Sequence, residues 1–292
     1  MRGLATFVMG GRWQAVAVAA GAGLVPLLGW VGAAVLALVT LRRGVADGLG
    51  VAVPALAGLG ALYWLLMGTP APVFQLGIEL WAPVLLLAFW LRRTVSLSAT
   101  LQILGVLGGL AVLSLHLMHG DLHAYWREVM DGILGGMPEG DPTWQMFDES
   151  MLPRMTGFWA VGLMGAALLA LLLGRWWQAL LYNPGGFQAE FHGLDLGREA
   201  GILALMLVAA SMFTGVGLVA DLALAASALF AVQAMAVAHA FVKARGMSVA
   251  WLVTAYLLMP IVFQLVALVG IADALFKWRR KLDDQDQNDY PG

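Results

Sequence analysis

Three histidines and an aspartate cluster in one short segment, and imidazole and carboxylate side chains are ligands for zinc and similar cations. They are His116, His119, Asp121 and His123. His116 and His119 share one helix face because they are three residues apart, whereas His123 needs the following loop to fold back. The sequence has no His-Glu-x-x-His motif. The alternatives are therefore a metal site and a set of interfacial histidines.

A proline–glycine break is the most distinctive feature of the segment 175–198. Its residues of interest are Asn183, Pro184, Gly185, Gly186, Phe187, Glu190 and Phe191. Proline ends a helix and glycine permits positive φ, so a helix must stop here. No Lys-Ser/Thr ending follows the glycines, which excludes a phosphate loop. We predict an interfacial or re-entrant element on the cytoplasmic side, either a ligand or partner contact or an amphipathic connector.

Two acidic residues, Glu79 and Asp221, lie near the start of apolar stretches. An ionisable side chain inside a membrane costs several kcal/mol unless it is paired or hydrated. At the outer water interface both residues would cost little. If they are buried and paired, they would couple to protons or bind a cationic substrate.

Further polar residues occupy the last two apolar stretches. Gln233 and His239 are six residues apart, so on a helix they do not quite share a face. Asp273 precedes Lys277 and Arg280 closely enough to pair with them. We count Gln233, His239 and Asp273 among the candidates for ligand or partner contact.

The elements that position these residues follow from composition. Of the 292 residues, 61% are hydrophobic and 12% are charged, whereas about a quarter are charged in soluble proteins. Eight apolar stretches approach or exceed the roughly 20 residues that a helix needs to cross a bilayer. They are 14–41, 48–67, 73–91, 97–118, 155–181, 199–218, 219–242 and 248–276. The sequence predicts an all-α, polytopic transmembrane helical bundle with about eight crossings.

Basic residues orient this bundle by the positive-inside rule. The pairs Arg42–Arg43 and Arg92–Arg93 flank apolar stretches and are expected in the cytoplasm, whereas the acidic loop 119–154 is expected outside. A single final crossing would carry the basic residues 277–281 outside, against the rule. We therefore expect a cytoplasmic C-terminus in a bacterial inner membrane.

Two stretches, 14–41 and 248–276, are too long for one plain crossing, and they contain Pro26 and Pro260. Each is either a tilted, kinked helix or a hairpin of two short helices. Two hairpins would raise the number of crossings to ten and place both termini in the cytoplasm.

The remaining organisation is simple. We predict one membrane domain, 1–282, and a disordered acidic tail, 283–292. In the outer loop, residues 121–134 predict an interfacial amphipathic helix, and Asp141 begins a turn before a second short helix. The apolar face of the first helix contains Leu122, Tyr125, Trp126, Val129 and Ile133. The chain has no cysteine, which excludes disulfides and thiolate chemistry.

Three elements in this order resemble the YybS-like family of uncharacterised bacterial membrane proteins. They are the Asn-Pro-Gly-Gly-Phe-x-x-Glu-Phe segment 183–191, the helix from Gln233 to His239, and the block from Gly270 to Arg280. This chain departs from the family pattern near its end, where Leu275 replaces a tryptophan. The resemblance implies a distant similarity in architecture to the substrate-binding subunits of energy-coupling-factor transporters, and it implies no established activity.

These observations favour an integral membrane protein of the transport type, which binds a small solute without an ATPase of its own because no Walker sequence is present. Its partners would be the lipid bilayer, a small-molecule solute and a cytoplasmic energising or regulatory protein. The alternative is a membrane scaffold or regulator that docks a partner through 119–154 or 183–198. We predict no cofactor and no enzymatic activity, since only 116–123 offers clustered acid–base groups.

Overall fold

The computed structural model describes residues 1–134 and 147–278, and in these ranges the chain is all-α, with no strand. Thirteen helices, with short helical turns between some of them, make up the described chain. They are α1 (Arg2–Gly10), α2 (Arg12–Gly23), α3 (Gly29–Arg43), α4 (Val45–Met67), α5 (Ala71–Thr94), α6 (Leu97–Met118), α7 (Leu122–Leu134), α8 (Met155–Tyr182), α9 (Gly186–His192), α10 (Arg198–Thr214), α11 (Gly217–Ala244), α12 (Ala250–Leu258) and α13 (Phe263–Phe276). The predicted turn at Asp141 and the predicted tail 283–292 lie outside the described residues.

The helices have the length and surface of membrane spans. In the described ranges, six are long and apolar enough to cross a bilayer, or seven if the bent pair α12–α13 counts as one span. All eight predicted apolar stretches are helical, and the stretch 199–218 forms the 17-residue α10. Leu65, Leu66 and Phe213 are 79%, 73% and 86% exposed on the bare chain. Lipid covers such apolar surface, so the protein is a multi-pass membrane protein.

The chain divides into two compact units, whereas the sequence predicts one membrane domain. Unit 1 consists of Met1–Leu104 and Leu163–Leu194, and unit 2 consists of Gly105–Gly162 and the chain from Asp195 onward. The long helices α6 and α8 contribute residues to both units.

In unit 1, the stretch 14–41 is a hairpin of two helices, which was one of its two predicted forms. A turn that begins at Pro26 separates α2 from α3, and α3 returns along α2. The helices approach so closely that a Cβ atom on Gly32 would lie 2.9 Å from the backbone oxygen of Ala19. Helix α3 is buried without interruption from Gly32 to Leu41 and is the core of this unit.

Both ends of this hairpin lie at one end of unit 1. Nε of Arg12, at the start of α2, donates a hydrogen bond to the Gly50 oxygen at 2.7 Å. Nη2 of Arg43, at the end of α3, donates to the Met9 oxygen at 2.8 Å. The arginines of the two helix ends are therefore neighbours, as the positive-inside rule requires of residues on the same side.

A tryptophan of helix α5 packs against the bend of the hairpin. Pro83 has no N–H group and its ring clashes with the carbonyl four residues earlier, which disturbs the helical ladder. The chain responds with a π-helical turn over Gly77–Trp81, in which the Ala82 N–H donates to the oxygen five residues back. The fully buried indole of Trp81 then donates its N–H to the Gly29 oxygen, 3.2 Å away, where α3 begins.

The outer-loop helix α7 packs largely as predicted. Trp126 is buried with Leu115 and Leu152 at the centre of a small apolar cluster. Residues packed against this cluster include Leu122, Tyr125 and Val129. Ile133, near the end of the same face, is 68% exposed on the bare chain and does not belong to the cluster.

Replacement of Trp126 by phenylalanine tests this cluster. The indole N–H donates to Oγ1 of Thr156 at 2.8 Å, and both residues are buried. We expect Trp126→Phe to lower the free energy of unfolding by about 1–3 kcal/mol, because it leaves a buried hydroxyl without its donor. The double variant Trp126→Phe/Thr156→Val should lose less than the sum of the two single variants. Thermal unfolding in detergent measures these losses, and strict additivity would contradict the interpretation.

In unit 2, the stretch 248–276 is also a pair of short helices. Helices α12 and α13 differ in direction by 116° across a short break that contains Pro260. Helix α13 lies against α11 so closely that a Cβ atom on Gly270 would fall 1.8 Å from the backbone oxygen of Phe230. Glycine at this position is therefore what allows the two helices to touch.

Helices α11 and α13 run in the same direction. Nε2 of Gln264, early in α13, donates to Oγ of Ser227 at 3.4 Å. Further along both helices, Nε2 of Gln233 donates to Oδ2 of Asp273 at 2.8 Å. The basic C-terminal ends of α11 and α13 consequently lie at the same end of unit 2. This arrangement removes the conflict with the positive-inside rule that a single final crossing creates.

Candidate functional site

Helix α11 carries three buried polar side chains, spaced six residues apart, through an otherwise apolar interior. They are Asp221, Ser227 and Gln233, and each is at most 3% exposed. Six residues advance a helix by about 9 Å and turn it by about 240°, so the three side chains point in three different directions. Each of them therefore needs its own polar partner, and the structure supplies one in every case.

Asp221, near the start of α11, is held by two partners. Its Oδ2 lies 2.8 Å from Nε2 of His116, in the last turn of α6, and its Oδ1 accepts the Gly157 N–H at 3.0 Å. Gly157 lies in the first turn of α8, where backbone N–H groups have no partner within the helix and favour a carboxylate. A Cβ atom at Gly157 would lie 2.8 Å from Oδ1, so this approach requires glycine.

The Asp221–His116 contact meets the condition, burial with a partner, under which the sequence predicts a functional role for Asp221. This side chain is not a solvated residue of the water interface; it is buried and paired. An ionisable side chain that is buried among membrane helices costs less when it is paired in this way. Glu79 differs, because it is only partly buried and its Oε1 accepts Nε2 of Gln75, one turn earlier, at 3.1 Å.

Gln233 connects α11 to two other elements of unit 2. Its Nε2 donates to Oδ2 of Asp273, and its Oε1 accepts the Leu196 N–H at 2.9 Å. The amide of Gln233 thus donates a hydrogen bond to a carboxylate of the broken pair and accepts one from the backbone of the linker that precedes α10. The sequence offers Lys277 as a partner for Asp273, whereas Nζ of Lys277 lies 4.0 Å from Oδ2 of Asp195.

His239 is separate from Gln233, as the helical spacing predicts. Its Nδ1 lies 2.9 Å from the Met235 oxygen, one turn earlier on the same helix. Its ring packs edge-on against Tyr256 of α12, with 5.8 Å between ring centres. His239 thus contacts the first helix of the broken pair.

The three histidines of the predicted metal site have different partners. His116 pairs with Asp221, the ring of His119 stacks on Tyr125 at 4.0 Å, and Nε2 of His123 lies 3.5 Å from Oδ1 of Asp148. His116 lies on α6, whereas His123 lies on α7, which begins at Leu122. In the described chain no three histidine or acidic side chains come close enough to hold a metal ion.

The predicted break after α8 is present. Helix α8 ends at Tyr182, Gly185 adopts a φ of +88°, and α9 begins at Gly186. One ring contact follows from helical spacing, since Phe187 and Phe191 stack with 6.1 Å between their centres. Asn183 and Pro184 form the turn, in which the Asn183 oxygen accepts the Gly186 N–H at 3.1 Å.

Glu190 of α9 forms a two-pronged salt bridge with Arg175 of α8. Nε of Arg175 donates to Oε2 of Glu190 at 2.8 Å, and Nη2 donates to Oε1. Sequence reasoning treated Arg175 only as a basic residue at a helix end. The signal that would have identified it is the glutamate that follows the proline–glycine break, because a break returns the chain toward the helix that precedes it.

Comparisons with protein-family models, with curated proteins and with solved structures find no match. Sequence reasoning also missed Gly157, Ser227 and Gln264, which are ordinary residues of apolar helices until their neighbours are known.

Proposed function

We propose that this chain is a transport-type membrane protein, which binds a small solute among its helices and has no ATPase of its own. The observation that carries the proposal is the helix pair α12–α13 of unit 2, which is broken beside Pro260. Transporters commonly build their binding sites from such discontinuous helices, because the backbone groups freed at a break are available to a ligand.

The broken pair of unit 2 also carries a buried acidic residue, which supports the proposal. Asp273 is 3% exposed and bonded to Gln233, which is itself buried. An acidic side chain in the interior of a membrane protein lowers stability unless it is paired, and proteins typically keep one where a solute or a coupling ion uses it. We therefore infer that Asp273 and Gln233 contribute to the solute or coupling-ion site.

The orientation follows from the basic residues. We expect the chain in a bacterial inner membrane, with Lys243, Lys277 and the C-terminus on the cytoplasmic side. The energy for transport would come from an ion gradient or from a cytoplasmic energising protein. Membership of the YybS-like family, which the motifs resemble, stays a prediction.

Replacement of Asp273 by asparagine tests the proposed role. The amide oxygen still accepts the hydrogen bond from Gln233, so we expect the fold to survive while the charge is lost. Protein purified in mild detergent and analysed by native mass spectrometry should retain a small metabolite, and Asp273→Asn should reduce this retention about tenfold or more. Asp47→Asn, at an exposed acid of unit 1, is the matched control and should retain the metabolite as wild type does.

Two outcomes would contradict the proposal. One is equal retention by wild type and Asp273→Asn, which would remove Asp273 from the site. The other is wild-type protein that retains no small molecule but purifies with a stoichiometric protein partner, which would favour the scaffold function.

A further inference from the structure

Unit 1 contains a cleft whose polar lining is dominated by arginine. Its volume is about 110 Å³, well above the roughly 10–15 Å³ that a single water molecule needs. The lining residues are Leu41, Leu91, Arg92, Val95, Arg175, Gln178 and Glu190. Two guanidinium groups and one carboxylate therefore face a space that is large enough for a small polar group.

The first arginine is fixed by the end of α3. Nη1 of Arg92 donates to the Leu41 oxygen at 2.7 Å, and Nε2 of Gln178 reaches the same oxygen at 3.4 Å. Leu41 lies in the last turn of α3, where carbonyl groups have no partner within the helix. This carbonyl positions Arg92 without neutralising it, because the oxygen bears only a partial charge.

The second arginine, Arg175, already forms a salt bridge with a carboxylate. The side chain of Arg175 is 13% exposed, and its fork grips both oxygens of Glu190. A phosphate group presents two oxygens to a guanidinium in the same two-pronged geometry. Glu190 thus stands where an oxyanion ligand would bind.

Unit 1 has an excess of positive charge beyond this pair. Its two chain segments contain seven arginines, no lysine and three acidic residues, which gives a net charge of +4. The acidic residues are Asp47, Glu79 and Glu190. Basic clefts between transmembrane helices are characteristic sites for the head groups of anionic lipids.

The short helix that carries Glu190 is flanked by glycines, which allow it to move relative to α8. Helix α9 has only seven residues, and glycines precede and follow it: Gly185, with a φ of +88°, and Gly193. Its two stacked phenylalanines give it an apolar face suited to the membrane interface, the level at which lipid phosphates lie. A small rotation at the glycines would withdraw the carboxylate and leave Arg175 open to another anion.

We propose that this cleft is a phosphate-binding site, in which Arg92 and Arg175 hold the phosphate of an anionic lipid or free phosphate, and in which Glu190 competes for Arg175. Glu190 sets the affinity, since the ligand must displace a carboxylate that is already bonded. The site is independent of the solute site that we place in unit 2.

Glu190→Gln tests the competition, because it removes the charge and keeps the size of the side chain. The variant and wild type are exchanged into detergent with phosphatidylglycerol, with phosphatidylcholine, or with inorganic phosphate alone, and bound molecules are counted by native mass spectrometry. We expect Glu190→Gln to bind phosphatidylglycerol or inorganic phosphate about tenfold more tightly than wild type. A gain with phosphatidylglycerol alone assigns the phosphate to a lipid, and a gain with inorganic phosphate assigns it to a free anion.

The arginines supply the matched controls. In the Glu190→Gln background, Arg175→Gln should abolish the gain, whereas Arg93→Gln should preserve it. Arg93 is adjacent to Arg92 in the chain, but its guanidinium lies over the ring of Phe89 and does not line the cleft. The proposal would be overturned if Arg93→Gln abolished the gain in binding as Arg175→Gln does. It would also be overturned if Glu190→Gln produced no gain in binding with any of the anions.

A second comparison covers the case in which Glu190→Gln fails to fold. Size-exclusion elution reports folding, and wild-type Glu190 is then kept while Arg92→Gln is compared with Arg93→Gln. The proposal requires weaker binding of phosphatidylglycerol or phosphate by Arg92→Gln than by Arg93→Gln. Equal binding by these two variants would contradict it.

Discussion

Gly270→Ala is expected to disrupt the packing of α11 and α13, although it adds a single methyl group. The new Cβ atom would lie 1.8 Å from the oxygen and 2.7 Å from the carbonyl carbon of Phe230. These are backbone atoms, so no side-chain rotation relieves the clash and the helices must separate. Over-packing of a core typically costs 1–3 kcal/mol, and a forced backbone shift raises our expectation to at least about 3 kcal/mol.

Thermal unfolding followed by size-exclusion chromatography in detergent measures this loss. The matched control is Gly165→Ala in α8, where an added Cβ atom would meet no heavy atom within 4 Å. The control should elute and unfold as wild type does, or be slightly more stable, because alanine favours a helix over glycine. A Gly270→Ala protein with the wild-type unfolding temperature would show that α11 and α13 are further apart than described here.

The second large effect is expected at Asp221. Asp221→Ala leaves the His116 imidazole and the Gly157 N–H without their buried partner, and it creates a void. Removal of one member of a buried, hydrogen-bonded pair costs several kcal/mol, and we expect a loss of about 3 kcal/mol in the free energy of unfolding. Asp221→Asn should lose less, because an amide oxygen can still accept the Gly157 N–H while the amide nitrogen donates to His116.

Glu128→Ala is the control for Asp221→Ala, since Glu128 is an exposed acid on α7 in the same unit. It should leave stability unchanged in the unfolding assay. The interpretation fails if Asp221→Ala and Glu128→Ala have equal stability, or if Asp221→Asn is as damaging as Asp221→Ala. The first result would mean that the contacts of Asp221 contribute nothing to the folded state, and the second would mean that an amide cannot replace the carboxylate in these contacts.

The positions of the helices could be predicted from the sequence because lipid imposes a simple rule. A backbone in hydrocarbon must satisfy its own hydrogen bonds, so a long uncharged run forms a helix whatever its neighbours are. Composition could not decide whether 14–41 and 248–276 are kinked spans or helix pairs. That choice depends on contacts such as Gly32 with Ala19, in which a small residue matters only because of what lies opposite it.

The polar contacts were less predictable for the same reason. His116 and Asp221 are separated by 105 positions and Gln233 and Asp273 by 40, and nothing local in the sequence pairs them. The spacing of the histidines at 116–123 is compatible with a metal site, so the sequence offered such a site as an alternative. The start of α7 separates them, and the fold pairs His116 with a distant aspartate.

The shortness of α12 has a consequence for how the protein enters the membrane. Its nine residues span about 14 Å, less than half of a hydrocarbon core of roughly 30 Å. In a nascent chain that ended before α13, α12 alone would therefore be too short to span the bilayer. We expect α12 and α13 to be inserted together, after α11, on which α13 packs.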